Sequence, residues 1–126
     1  MQQVAFQLIA VFTGAICGAL FRYKLADRFD NEDFYYGTFT ANTAACAVLA
    51  FSLMISIRDL DLSCLCVATL AGTMSTYASF AYQIAKDLQN RLFKKAFIYA
   101  TATLFTSLFV YFLVVVLITL AKNLLP

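Results

Sequence analysis

Residues 62–85 read LSCLCVATLAGTMSTYASFAYQIA, a run without a single Lys, Arg, Asp or Glu. As a helix it exceeds the roughly 20 residues needed to cross a hydrocarbon core. Its second half is nevertheless crowded with hydroxyls: Thr73, Ser75, Thr76, Tyr77, Ser79 and Tyr82. Three further stretches share the apolar character, at residues 4–23 (interrupted only by Arg22), 34–57 and 96–121, and the charges gather in short blocks between them. The fold class follows: an all-α integral membrane protein of four transmembrane helices, one domain over residues 1–126, with loops at 24–33, 58–61 and 86–95.

Composition agrees with this reading. The chain is 63% hydrophobic and 13% charged, with a mean hydropathy of +0.81, which places it among membrane proteins. The opening MQQVAFQLIA has no basic segment of the kind that begins a signal peptide, and it reads as the first span. No stretch remains for a soluble catalytic domain, so no enzymatic activity is expected. Cys17, Cys46, Cys64 and Cys66 lie in or at the edge of spans, the chain has no His, and their spacing is not that of a zinc site. They read as small apolar filler. The only proline is Pro126, so any break inside a span must come from glycine or from hydroxyl chemistry, with Gly72 the expected point of opening in the third.

The basic residues predict an orientation. Loops one and three carry Lys24, Arg28, Lys86, Arg91, Lys94 and Lys95, with Arg22 at their edge, whereas loop two and the C-terminal end carry only Arg58 and Lys122. By the positive-inside rule, loops one and three are cytoplasmic and both termini face outward, in one fixed topology across the cell membrane.

No ionisable residue lies deep in a span. Arg22 sits near a span end, where a long basic side chain can snorkel to the interface, and position alone favours that role over drawing an anion into a vestibule. The absence of an embedded carboxylate argues against a proton-coupled four-helix drug transporter. What the spans carry instead is neutral donors on single faces: Thr38 and Asn42 in the second, Thr69, Thr73, Thr76, Phe80 and Gln83 in the third, and Tyr99, Thr103 and Ser107 in the fourth. Any one hydroxyl is well explained by a bond to the carbonyl one turn back or by close helix packing. Asn42 is harder to explain so, since its amide must find partners in an apolar medium. Three stripes together fit a narrow path for a solute that accepts hydrogen bonds and needs no fixed counter-charge.

Three motifs then resemble one family, the Fluc (CrcB) fluoride channels. GAICGALFRY at 14–23 is similar to their first-helix motif of spaced glycines ending in Arg-Tyr. GTFTANTAACA at 37–47 is similar to Gly-Thr, three residues, Asn in the second helix. AGTMSTYASFAYQ at 71–83 is similar to Gly-x-x-Thr-Thr-Phe-Ser-Thr-Phe-x-x-Glu in the third. The resemblance implies a passive fluoride exporter that relieves fluoride toxicity, built as an antiparallel dimer with pores at the interface. It also implies a structural Na⁺ at the dimer centre, held where the third helix breaks by the backbone carbonyls of Gly72 and Ser75. By the same correspondence Asn42, Thr76, Tyr77, Ser79, Phe80, Gln83, Tyr99, Thr103 and Arg22 would line the anion path. Tyr77 stands where the family has its first pore Phe, Ser75 where it has Thr, Ala78 where it has Ser and Gln83 where it has Glu; Ala45 and Cys46 replace a Gly and a Ser. These departures, with the lopsided basic count, point to one subunit of a heterodimer with a homologue of opposite topology. A structural partner subunit whose own pore is degraded is the alternative.

Overall fold

The computed structural model describes residues 2–31, 33–55 and 62–124. They form five helices: α1 (Gln2–Phe29), α2 (Tyr36–Ile55), α3 (Leu62–Met74), α4 (Tyr77–Gln89) and α5 (Phe93–Leu124). α1, α2 and α5 are each long and apolar enough to cross a membrane. α3 and α4 are 13 residues each, about 20 Å apiece, and only together do they cover the distance. They are the two halves of the third predicted span. The break is present, but it falls at Ser75 and Thr76 and not at Gly72, through which α3 continues as regular helix.

The helices also run past the predicted spans. α1 continues to Phe29 and α4 to Gln89, leaving tight connections of 30–35 and 90–92 where loops of 24–33 and 86–95 are expected. Loop two, at 58–61, lies outside the described residues. In the first connection Asn31 Oδ1 accepts the backbone N–H groups of Asp33 and Phe34 (3.1 and 2.8 Å), and Asp30 pairs with Tyr35 across a short bridge. That Asx turn reverses the chain within a few residues.

α1 packs along α3, α2 meets α1, α3 and α5, and α4 rests on α5. Small residues set the approach. A Cβ built on Gly14 would overlap the Cys66 carbonyl of α3, and one on Gly18 would overlap the Leu70 carbonyl and Thr73 Oγ1. Glycines four apart therefore bring two helix backbones into contact, as is common in membranes. Ala41, Ala45 and Met74 form the centre of the buried cluster, with Leu25, Ala44, Val48 and Leu70 against it. Large apolar groups such as Phe6, Phe12, Phe105 and Phe109 point outward, which suits lipid or a partner and not water.

Each end of the bundle has a tether. At one, Lys95 Nζ meets Asp87 Oδ1 (3.1 Å) and lies over the Tyr35 ring, and Tyr35 donates to the same carboxylate oxygen (3.0 Å). This joins the first connection to the end of α4 and the start of α5. At the other, Lys122 Nζ donates to the Met54 carbonyl (2.6 Å), joining the end of α5 to the end of α2.

Candidate functional site

The site is built around the break. A continuous helix would give the Thr76 N–H to the Gly72 carbonyl. Here that N–H goes across to Asn42 Oδ1 on α2 (2.8 Å). Thr76 then caps α4: its Oγ1 accepts the Ser79 N–H (3.1 Å), which a continuous helix would give to the Ser75 carbonyl. The carbonyls of Gly72 and Ser75 are thus the two that lose their usual donors to side chains. Both residues are exposed on the single chain, and nothing lies within 4 Å of where a Gly72 Cβ would be.

Two grooves lie along α4, and one of them reaches the break. The deeper one, about 220 Å³, is lined by Asn42, Cys46, Ser75, Thr76, Tyr77, Phe80, Thr103, Leu104 and Ser107. The outer one, about 570 Å³, is lined by Asp30, Asn31, Tyr35, Ala78, Ser79, Tyr82, Gln83 and Lys86. Thr76 belongs to the first and Ser79 to the second, and the Thr76 hydroxyl donates to Ser79 Oγ (3.0 Å). A hydroxyl chain therefore links them.

What each side chain can offer an anion depends on where its protons already go. Asn42, 9% exposed, has spent its oxygen on Thr76, so its NH₂ is left as the donor toward the deeper groove. Ser79 accepts from Thr76, which leaves its own O–H free to face the outer groove. Thr103 lines the deeper groove, but its proton goes to the Tyr99 carbonyl one turn back (2.7 Å). Thr69 and Thr73 do the same with Leu65 and Thr69, as expected of single hydroxyls in membrane helices.

Gln83 and Tyr99 are buried in a network. Tyr99 OH donates to Gln83 Oε1 (2.7 Å), and Gln83 Nε2 donates to Thr38 Oγ1 and to Asp30 Oδ2 (3.0 Å each). The Tyr99 ring is surrounded by Phe34, Tyr35 and Phe80, with centroids 5.2–5.5 Å away; the Phe34 and Tyr35 contacts are edge-on. Phe80 is therefore held against Tyr99, whereas Tyr77 projects from the chain, 81% exposed, at the edge of the deeper groove. Arg22, half-buried on α1, lines neither groove.

Asp30 and Asp87 lie within the predicted loops 24–33 and 86–95, where the sequence assigns neither a role. The fold buries Asp87 to 1% exposure and turns Asp30 against Thr38 and Gln83. Nothing in the local sequence signals either placement, because both depend on how the connections fold back over the helix ends.

Membrane-crossing helices, with one span interrupted and hydroxyl and amide side chains gathered beside the interruption, define a multi-pass membrane protein. The chain belongs to the CrcB family: residues 9–115 match the family described as CrcB-like protein, Camphor Resistance (CrcB). It is 34% identical over 97 residues to the "Fluoride-specific ion channel FluC 2" of Corynebacterium diphtheriae, covering 75% of this chain and 85% of that protein. It is 27% identical over 81 residues to the "Fluoride-specific ion channel FluC" of Haemophilus ducreyi, covering 63% of this chain and 64% of that one.

Proposed function

We propose that this chain is a subunit of a fluoride-selective channel through which F⁻ leaves the cell down its gradient. The observation that carries this reading is the Asn42–Thr76 contact. It commits the amide oxygen to the broken helix and leaves the NH₂ to the groove. A neutral donor at that point can replace part of an anion's hydration without trapping it as a fixed cation would. Phe80 and Tyr77 add ring edges, which carry partial positive charge. The relatives' names point the same way.

The subunit works in a pair. On the single chain Gly72, Ser75 and Tyr77 are uncovered and the deeper groove is open along one side, so a second subunit is needed to enclose the path. The lopsided basic count favours a homologue inserted the other way up, with this chain's termini outside. At the centre of the pair a Na⁺ would be held by the Gly72 and Ser75 carbonyls. Its chemistry is that of a fixed positive charge that satisfies backbone oxygens where the helix is interrupted. The residues fit that ion, because their carbonyls lack the donors a continuous helix would supply.

A second reading rests on Tyr77. Its exposed position at the groove edge allows the hydroxyl-bearing ring to obstruct a path on this subunit's side, leaving the chain as a scaffold that completes only its partner's pore.

The test is fluoride efflux from liposomes, measured with an ion-selective electrode, for this chain alone and with a homologue of opposite charge bias. Efflux only with the homologue is expected. Robust efflux from the single protein would refute the heterodimer, and no efflux in any pairing would refute the channel. Tyr77→Phe in the active pairing separates the two readings of the subunit: added flux is expected only where Tyr77 obstructs.

A further inference from the structure

Three donors converge on one carboxylate in the outer groove. Asp30 Oδ1 accepts the backbone N–H of Thr38 (2.9 Å), and Asp30 Oδ2 accepts Thr38 Oγ1 (2.6 Å) and Gln83 Nε2 (3.0 Å). Two of the donors are anchored in the protein interior, Thr38 at 1% and Gln83 at 8% exposure. The third is a first-turn N–H of α2, where helical N–H groups have no intrahelical partner and the helix end favours negative charge. α2 has no acid of its own in that turn. This donor set is that of a small-anion subsite, and the protein's own carboxylate stands in it. We propose that Asp30 is a tethered anion that occupies this subsite and competes with the permeating ion for it.

The proposal rests on the fluoride-path reading for the identity of the competing ion, while the subsite itself rests on the geometry alone. Asp30 does more than cap α2. An ordinary cap comes from the residue at the helix boundary, whereas Asp30 lies five residues before Tyr35 and reaches a buried side chain on α4. Its charge also sets the direction of the whole network. A carboxylate only accepts, so the Gln83 NH₂ and the Thr38 hydroxyl both turn toward it, and Gln83 Oε1 is left to take the Tyr99 proton. Thr38, Gln83 and Tyr99 therefore have no donor to spare while Asp30 is in place. An anion entering the outer groove, whose wall includes Asp30 as well as Lys86, meets a negative charge and donors already taken.

Removing the charge reverses both effects. Asp30→Asn keeps an acceptor for the Thr38 N–H, and Asp30→Ser keeps a hydroxyl there; both are compared with wild type in the conducting pairing of full-length chains. The expected result is a rise in fluoride efflux of about tenfold at low fluoride, the scale on which one charge in a cleft alters ion entry. A larger upward shift in melting temperature on adding NaF, relative to equal ionic strength of sodium gluconate, is expected as well. Gln83→Leu in the Asp30→Asn background should cancel that extra shift. A folded variant whose efflux falls, or whose fluoride-dependent shift equals that of wild type, overturns the proposal. Failure of both variants to fold does so too, because the carboxylate would then be a structural cap. If no pairing of wild-type chains conducts fluoride, the channel reading fails separately, and the melting comparison still decides the subsite.

Discussion

Asn42 and Thr103 line the same groove and differ in whether a proton is free to donate. Asn42→Leu removes the free NH₂ and strands the buried Thr76 N–H. A loss of about 1–3 kcal/mol in stability is expected, with a fall in fluoride flux of about tenfold or more, from thermal melts and liposome efflux. Thr103→Val should change stability by less than about 1 kcal/mol, because its hydroxyl serves only its own helix, and flux should stay near wild type. Gln83→Glu is a third case. It would set a second carboxylate against Asp30 Oδ2, at the position where Gln83 Nε2 now lies 3.0 Å away. Melting at neutral pH should show a loss of about 1–3 kcal/mol, with recovery when Asp30→Asn is added. At this scale the candidate residues were visible in the sequence as types and stripes. Their donor states were not, because a hydroxyl's partner is decided by neighbours that spacing alone does not name.

The helices show the same division. The glycine spacing of α1 and the interruption of the third span are both legible as sequence, but glycine marks the packing and not the break. Gly14 and Gly18 are pressed against α3 backbone, while Gly72 has open space beside it within an unbroken helical turn. Ser75 and Thr76 open the helix because Asn42 draws the Thr76 N–H away and the Thr76 side chain takes that of Ser79, and Asn42 is distant in sequence. A contrast tests this. Gly18→Ala should destabilise the subunit by about 1–3 kcal/mol through overpacking between α1 and α3. Gly72→Ala should leave the subunit's own fold intact and impair pairing or Na⁺ dependence instead. Thermal melts and size-exclusion chromatography in Na⁺ and in a larger monovalent cation distinguish the two.

For the whole molecule, the tethers at Lys95–Asp87–Tyr35 and Lys122–Met54 put the two described connections at one end of the bundle and the end of α5 at the other. Lys24 and Arg28 near the end of α1, Lys86 and Arg91 at and just past the end of α4, and Lys94 and Lys95 at the start of α5 lie toward that same end. A single cysteine introduced near residue 122 should be labelled by an impermeant thiol reagent from outside intact cells. Labelling only after permeabilisation would reverse the orientation, and partial labelling would signal dual insertion and favour a homodimer.

The membrane class and the presence of an interruption were legible in the chain alone, because hydrophobic length and hydroxyl density are local properties of a chain in lipid. The sequence also carried the three motifs by which the family resemblance could be read. Only the tertiary structure decided where the helix opens, which donors remain free and that Asp30 reaches Gln83. Each of those depends on hydrogen bonds between residues far apart in the chain, and in an apolar medium such bonds form wherever packing leaves no other partner.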